Sequence, residues 1–358
     1  MTRPVQATLD AQALRHNLLT AKKHASKSRV MAIIKANGYG HGIQWTAKTL
    51  NDGVAFGVAS VEEAIAVREA GITAPICLLE GFFEASEIPL LEQYGLAPVI
   101  HDEYQIGLLE RYVAATPLNV WIKVDTGMHR IGFTPDRFMK AMLRLEDCKC
   151  IGRIRLMAHF PNADNTFDST TMEQCRVVQE LNASFGLEQS MANSAAIFNW
   201  PETHLDWVRP GIMLYGASPN AGSAGKQLDL KPVMTFCSKL IAVHQRKQGD
   251  PIGYGGDYVC SRDMPVGVVA VGYGDGYPRN APKGTPVLVK GKPVSLIGRV
   301  SMDMITVSLR KVPDAKPGDP VVLWGKRLPV EEIANRTNTI AYELLCRVTD
   351  RVPRIEQE

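Results

Sequence analysis

The sequence predicts an α/β protein, with an N-terminal (β/α)8 barrel of the TIM type followed by a mainly β C-terminal domain. Eight short apolar runs alternate with stretches of helical periodicity over about two hundred residues, the rhythm of a closed parallel barrel. Past Lys231 that rhythm stops, and short β-type runs separated by Gly, Pro and Asp take over. A third observation concerns chemistry: polar side chains stand directly after the apolar runs, where barrels of this kind build their sites.

In chain order, Val5 to Leu9 reads as a strand, and Asp10 as the N-cap of an amphipathic helix running to about Ser26. The first barrel strand is Val30 to Ile34, an apolar run in which Val30, Ile33 and Ile34 are β-branched, as in strands buried on both faces. The Gly-rich run after it, Gly38 to Gly42, reads as a turn opening a helix. Further strands are expected at Val54 to Val58, Pro75 to Leu79, Ala97 to Ile100, Leu118 to Val124, Ile154 to Ala158, Glu188 to Ala192 and Leu205 to Val208. Helices are expected at Val61 to Ala70, Glu84 to Tyr94, Glu103 to Ala114, Pro135 to Leu145 and Ser169 to Phe185. An open doubly wound sheet is the rival, but the glycines at 38, 40 and 42 do not make the GxGxxG fingerprint such a sheet usually carries.

The second domain should comprise strands at Val233 to Val243, Val266 to Val271, Pro286 to Val289, Val294 to Ile297, Ile305 to Leu309 and Pro320 to Leu323, then helices at Val330 to Arg336 and Thr339 to Leu345. The division falls near residue 230, giving a barrel over residues 10–230 and a β domain over residues 231–358. Residues 1–9 are free to pair with the β domain instead of the barrel.

Composition narrows the partners. Forty Lys and Arg against 37 Asp and Glu give a net charge of +3 without like-charge blocks, so neither nucleic acid nor a membrane surface is expected and a small molecule is. Seven cysteines without a CxxC pair make no disulfide framework and suggest a reducing compartment, with the cytoplasm as default. Cys148 and Cys150 have no His or further Cys near in sequence, so no metal site is expected. The N-terminus lacks an apolar signal region, and no run reaches the ~18 apolar residues of a membrane span.

The residues ending the expected strands are Lys35, Lys123 with Asp125 and the nearby Arg130, His159, Asn193 with Ser194, and Arg209. A lysine ending a buried strand must reach water, pair with a carboxylate or be consumed in a covalent bond, because an unpaired buried ammonium costs several kcal/mol. Each residue alone has an ordinary reading: a snorkelling lysine, a solvated pair, an interior histidine, a helix cap. Together they favour an anionic ligand with aromatic or carbonyl character. Asn193-Ser194-Ala195-Ala196 opens a helix with free amides, and Pro210-Gly211-Ile212 offers a second amide cluster after strand eight, where barrels often hold phosphate. Phosphate there, with a lysine on strand one, suggests pyridoxal 5′-phosphate carried covalently.

The stretch Ala32-Ile33-Ile34-Lys35-Ala36-Asn37-Gly38-Tyr39-Gly40-His41-Gly42 resembles the cofactor-lysine signature of alanine racemases. Asp125 to Gly132, Met157 to Phe160, Ala192 to Ala196, Arg209 to Ile212, Gly253 to Gly255, Gly272 to Gly276, Gly298 to Asp303 and Ile340 to Glu343 resemble that family's other motifs, in the family's order. The resemblance implies fold-type III and a head-to-tail homodimer whose sites draw on both chains. It implies that Lys35 carries pyridoxal 5′-phosphate, and that Tyr39, Ser194, Gly211, Ile212 and Tyr342 hold the phosphate, with His159 and Asn193 in the same cofactor site. Arg209 would face the pyridine nitrogen, Arg130 would lie near the cofactor's phenolic oxygen and the substrate carboxylate, and Lys123 matches a position carbamylated in several members. Tyr254, Tyr273, Met302 and Asp303 match residues reaching the neighbouring subunit's site. Asn37-Gly38 departs from a frequent Asp-Ala.

The activity implied is interconversion of L- and D-alanine by two bases, Lys35 on one face and Tyr254 on the other. A free phenol, with pKa ~10, is a poor base near neutral pH, so the site must favour its phenolate; His159 linked to Arg209 is a candidate relay. A decarboxylase of the same fold type is disfavoured because Arg209 stands where such an enzyme usually keeps an acidic partner for the pyridine nitrogen. A barrel that merely binds the cofactor would leave the β domain without a role.

Overall fold

The computed structural model describes residues 3–357. β1 (Gln6–Asp10) leads into the helix Ala11–His24, and the Asp10 carboxylate accepts from the Ala13 amide at 2.9 Å, closing the helix start. Lys22, Lys23 and His24 sit in its last turn, where positive charge opposes the negative end of the helix dipole.

Eight strands then form a closed parallel barrel: β2 (Arg29–Ile33), β3 (Ala55–Val58), β4 (Ile76–Leu78), β5 (Leu96–Ile100), β6 (Leu118–Lys123), β7 (Ile151–Met157), β8 (Gln189–Ser190) and β9 (Trp207–Val208). β9 returns to β2, pairing Trp207 with Arg29 and Val208 with Val30. Every residue of β3 and β4 is buried, as expected where helices cover the outside and side chains fill the interior.

Two helices and two strands of the barrel depart from the sequence pattern. The helix expected over residues 84–94 is a 3-10 turn, Ala85–Glu87, followed by the α-helix Ile88–Gln93, with Pro89 in its first turn where a missing amide is tolerated. The helix expected to reach Ala114 ends at Leu109, whose carbonyl accepts from the Cys150 thiol at 3.2 Å. The last two barrel strands are two residues each, and Leu205 adopts φ +50°, which ends extended geometry before β9.

The second part contains β10 (Met234–Arg246), the short pair β11 (Pro251–Ile252) and β12 (Tyr258–Val259), β13 (Met264–Val269), β14 (Pro286–Val289), β15 (Lys292–Ile297), β16 (Ile305–Ser308), β17 (Pro320–Trp324) and β18 (Arg354–Gln357). β10 pairs with β17 over its first half and with β13 over its second, so the order β13-β16-β15-β14-β17-β10 returns on itself. β1 lies between β10 and β18, antiparallel to the first and parallel to the second. The helices Val330–Arg336 and Ala341–Cys346 precede β18.

The two parts are joined tightly. Asn17, fully buried, donates to the carbonyls of Leu214 and Lys231 at 2.9 and 2.8 Å and accepts from the Lys231 amide at 2.8 Å, satisfying the connecting backbone. One apolar core runs through both parts, and a smaller cluster of Ile252, Cys260, Met264, Val266 and Ile297 lies beside the β11–β12 pair. Among the described residues no helix is long and apolar enough to cross a membrane.

Candidate active site

β2 delivers Lys35 into an unusual turn. Ala36, Asn37, Gly38 and Tyr39 adopt φ of +53°, +53°, +62° and +50°, and the Gly40 amide donates to the Ala36 carbonyl at 3.0 Å. This is one turn of left-handed helix. Each L-residue in that conformation costs about 1–2 kcal/mol, with Gly and Asn the most tolerant. The helix expected after the Gly-rich run starts only at Ile43–Leu50, with the Asn37 side-chain oxygen accepting from the Ile43 amide at 2.8 Å.

The strain is held by packing below the turn. The Tyr39 ring stacks on Tyr215 at 4.6 Å, and Tyr215 donates to the Ile33 carbonyl at 3.1 Å. His41, buried beside Tyr215, donates from Nδ1 to the carbonyls of Gly38 and Tyr39 at 3.0 and 2.9 Å. Burial pushes its pKa down to about 4, so it is a neutral donor.

The other strand ends converge on a cavity of about 540 Å³ that Lys35 and Tyr39 also line. β6 contributes Lys123 as its last residue. The Asp125 carboxylate accepts from the amides of Gly127, Met128 and His129, each at 3.0 Å, and so shapes the loop that carries Arg130 to the cavity. His159 follows β7, and Asn193 and Ser194 follow β8. Asn193, not Ser194, caps the helix Ser194–Asn199, accepting from the Ala196 amide at 3.0 Å. That frees the Ser194 hydroxyl, which accepts from the Gly211 amide at 2.8 Å. Gly211 and Ile212 line the same wall, and a Cβ at Gly211 would stand 2.7 Å from the Tyr39 hydroxyl, so the cradle needs a residue without one.

Arg209 sits under this cavity, fully buried. It donates to the Ser190 hydroxyl at 2.6 Å, to the carbonyls of Ala158 and Met191 at 2.7 and 3.2 Å, and to His159 Nδ1 at 3.2 Å. Lys35, Lys123, Arg130 and Arg209 thus line one cavity with Glu80 as the only carboxylate among its lining residues. Burial, then Arg209, Arg130 and Lys35, depresses Lys123 to about 8. The same burial and cations hold His159 well below its ordinary value. Such a cavity attracts anions.

The second domain contributes Tyr342, whose ring lies 6.0 Å from that of Tyr39 and whose phenol burial pushes up to about 12. Tyr254, Tyr273, Met302 and Asp303 do not line this chain's own cavity. Tyr254 is 68% exposed, in a turn where Gly253, Gly255 and Gly256 all have positive φ. The Tyr273-Gly274 and Ser301-Met302 segments are joined by backbone bonds, Gly274 amide to Met302 carbonyl at 2.9 Å and Tyr273 amide to Ser301 carbonyl at 3.0 Å, and the side chains of Tyr273 and Met302 are exposed. Asp303 pairs with Arg351, which also meets the fully buried Asp275 at 2.8 Å. The cavity also includes Glu80, Phe83 and His101, with His101 Nε2 3.0 Å from the Glu80 carbonyl. They follow the ends of β4 and β5, and the rule that singles out strand-end residues applies to Glu80 and His101 equally.

A closed barrel whose strand ends gather cations and amide donors, coupled to a β domain, defines an enzyme of the barrel class. Residues 9–219 match the family model described as alanine racemase, N-terminal domain, and residues 233–356 match alanine racemase, C-terminal domain. The chain belongs to the alanine racemase family, and so to the amino-acid racemases among the isomerases. It is 52% identical to the alanine racemase of Nitrosococcus oceani over 98% of each chain, and 47% identical to that of Vibrio parahaemolyticus over 99% of this chain and 98% of that one. Its structure is similar to that of the biosynthetic alanine racemase from Pseudomonas aeruginosa, with TM-score 0.96, 43% identity and all of both chains covered. The alanine racemase from Acinetobacter baumannii follows at TM-score 0.94 and 38% identity, over 99% of this chain and 100% of that one.

Proposed function

We propose that this chain interconverts L- and D-alanine, using pyridoxal 5′-phosphate held on Lys35, in a head-to-tail homodimer. The observation that carries the reading is the meeting of Lys35, Arg209 and the Ser194–Gly211 amide cradle in one cation-rich cavity. These residues fit the cofactor chemically: an amine for its aldehyde, a guanidinium for its ring nitrogen, and hydroxyl and amide donors for its phosphate.

When bound, the cofactor weakens the Cα–H bond of the attached amino acid by drawing electrons toward its ring. Tyr39, Ser194, Gly211, Ile212 and Tyr342 would hold the phosphate, with Asn193 bracing the start of the helix that carries Ser194. Arg209 would donate to the ring nitrogen and, being always charged, would leave that nitrogen without a proton. Arg130 holds the substrate carboxylate. Lys123, as a carbamate, would turn a crowding of cations into an ion pair with Arg130. Lys35 moves the α-proton on one face, and Tyr254 of a second copy moves it on the other, with His159 and Arg209 tuning the phenol. Tyr273, Met302 and Asp303 of that second copy border the entrance. The exposure of Tyr254, Tyr273 and Met302 on their own chain supports this use in trans. Seven free thiols suit a reducing compartment, and we place the enzyme in the cytoplasm.

The test is a spectrum of the purified chain with pyridoxal phosphate, followed by circular dichroism of L-alanine over time. A visible band, borohydride fixation of the label on Lys35 and decay of optical activity are expected. A label on another lysine, or no decay, would overturn the reading.

A further inference from the structure

We infer that Arg354, on the last strand of the second domain, positions the Lys35–Tyr39 turn and thereby sets how firmly the barrel retains its cofactor; this rests on the cofactor reading above. Arg354 does not line the cavity, so it is a positioning residue. Its donors are fully committed to backbone. Nε and Nη2 both donate to the Gly40 carbonyl, at 3.2 and 3.0 Å. Nη2 also donates to the Val348 carbonyl at 2.7 Å, and Nη1 to those of Thr349 and Val352 at 2.7 and 2.8 Å. The nearest carboxylate, Asp350, is 4.0 Å away and almost fully exposed, so the guanidinium serves as a five-pronged connector more than as half of an ion pair.

What it connects is specific. Residues 348–352 follow the helix that bears Tyr342, and Gly40 follows Tyr39 directly. The turn from Ala36 to Gly40 is closed by its own hydrogen bond, so it moves as one piece with Lys35 at one end and Tyr39 at the other. Gly40 has no room to shift toward the second domain: a Cβ there would meet the Leu345 carbonyl at 2.2 Å. His41 and Tyr215 hold the turn from below, and Arg354 holds it from the side. A strained left-handed segment persists only when its surroundings over-determine it, and Arg354 is the one side chain of the second domain that hydrogen-bonds to it among the bonds described above. Lysine cannot replace it, because an ammonium has three donors and no planar fork.

The experiment uses the full-length holoenzyme with variants Arg354→Ala, Arg354→Lys and Arg68→Ala. Arg68 is a matched control: it too donates to backbone carbonyls, those of Ile72, Ala74, Tyr94 and Gly95, but on the outer helices of the barrel. Cofactor loss into a trapping excess of another aldehyde-binding protein gives the off-rate, and absorbance titration of the stripped chain gives the affinity. Arg354→Ala should weaken pyridoxal phosphate binding about tenfold, while Arg68→Ala lowers thermal stability without doing so. Tyr39→Phe should lose less affinity in the Arg354→Ala background than in the wild type, because the phenol is already displaced. If Arg354→Ala does not fold, Arg354→Lys carries the same expectation at several-fold. Unchanged affinity in both Arg354 variants, an equal loss in Arg68→Ala, or strict additivity with Tyr39→Phe would overturn the inference alone. Failure of the wild-type chain to take up the cofactor would overturn the reading beneath it as well.

Discussion

Nη2 of Arg209 lies 3.2 Å from Nδ1 of His159, and since a guanidinium can only donate, the imidazole receives with its lone pair and keeps its proton on Nε2. This fixes the tautomer, and with it the direction in which the ring can donate.

His159 should remain in that neutral tautomer across the working pH range. Burial comes first among the causes, followed by Arg209, Lys123, Arg130 and Lys35. An unfolded chain protonates this histidine below about pH 6.5 while the folded chain does not, so its contribution to stability is present above that pH and lost as pH falls. Nitrogen-detected NMR of labelled histidine should show an Nε2–H ring with no titration near 6.5; an ordinary titration curve would contradict the geometry.

Lys123 offers a second pH signature. With a folded value of about 8 against 10.5 for the free side chain, its contribution rises from pH 8 to about 10.5 and is lost as pH falls through 8. At pH 7 about a tenth of the amine is neutral, far more than for an ordinary lysine, and only that form reacts with carbon dioxide, forming an N–C bond and releasing a proton. Labelled bicarbonate should therefore give a carbamate carbon signal absent from Lys123→Ala, and should flatten the rise in stability above pH 8. The same spectrum in both proteins would exclude carbamylation here.

Tyr254→Phe should slow racemisation by about 10²- to 10⁴-fold in both directions. The asymmetry belongs in α-proton exchange with heavy water, which should persist for D-alanine and fail for L-alanine. Mixed dimers of Lys35→Ala and Tyr254→Phe chains should recover part of the activity, because one composite site would be whole. Mixed dimers shown to form yet remaining inactive would argue against a base in trans.

Gly38→Ala tests the left-handed turn. Gly38 has φ +62°, and an added Cβ would meet the Thr46 hydroxyl at 2.6 Å. A stability loss of about 1–2 kcal/mol in urea unfolding is expected, accompanied by weaker cofactor retention. A neutral substitution would mean that the turn relaxes at no cost.

Much of this was legible because period and position are local properties. The buried strand ending at Lys35, the cluster of Lys123, Arg130, His159, Ser194 and Arg209, and the change of texture after Lys231 all follow from apolar runs and what succeeds them. The left-handed turn was hidden because nothing in Ala36-Asn37-Gly38-Tyr39 demands it; packing on Tyr215 and bonding to Arg354 impose it from residues far along the chain. β18 was missed for a related reason. Arg354–Gln357 holds one apolar residue among four and becomes a strand only because β1 is there to pair with it. The two-residue pair β11 and β12 is too short to show a period at all.

The position of β1 sets a schedule for making the protein. As the ribosome delivers the chain at about 5–20 residues per second, β1 must wait tens of seconds for β10 and then β18, its neighbours on either side, to be synthesised. The barrel strands can close in order behind it, whereas the sheet that receives Gln6–Asp10 is completed only once β18 has been made. Removing Arg354–Gln357 therefore reaches back to β1: it leaves one edge of that strand open to any other nascent chain, and it takes Arg354 from the turn that bears Lys35.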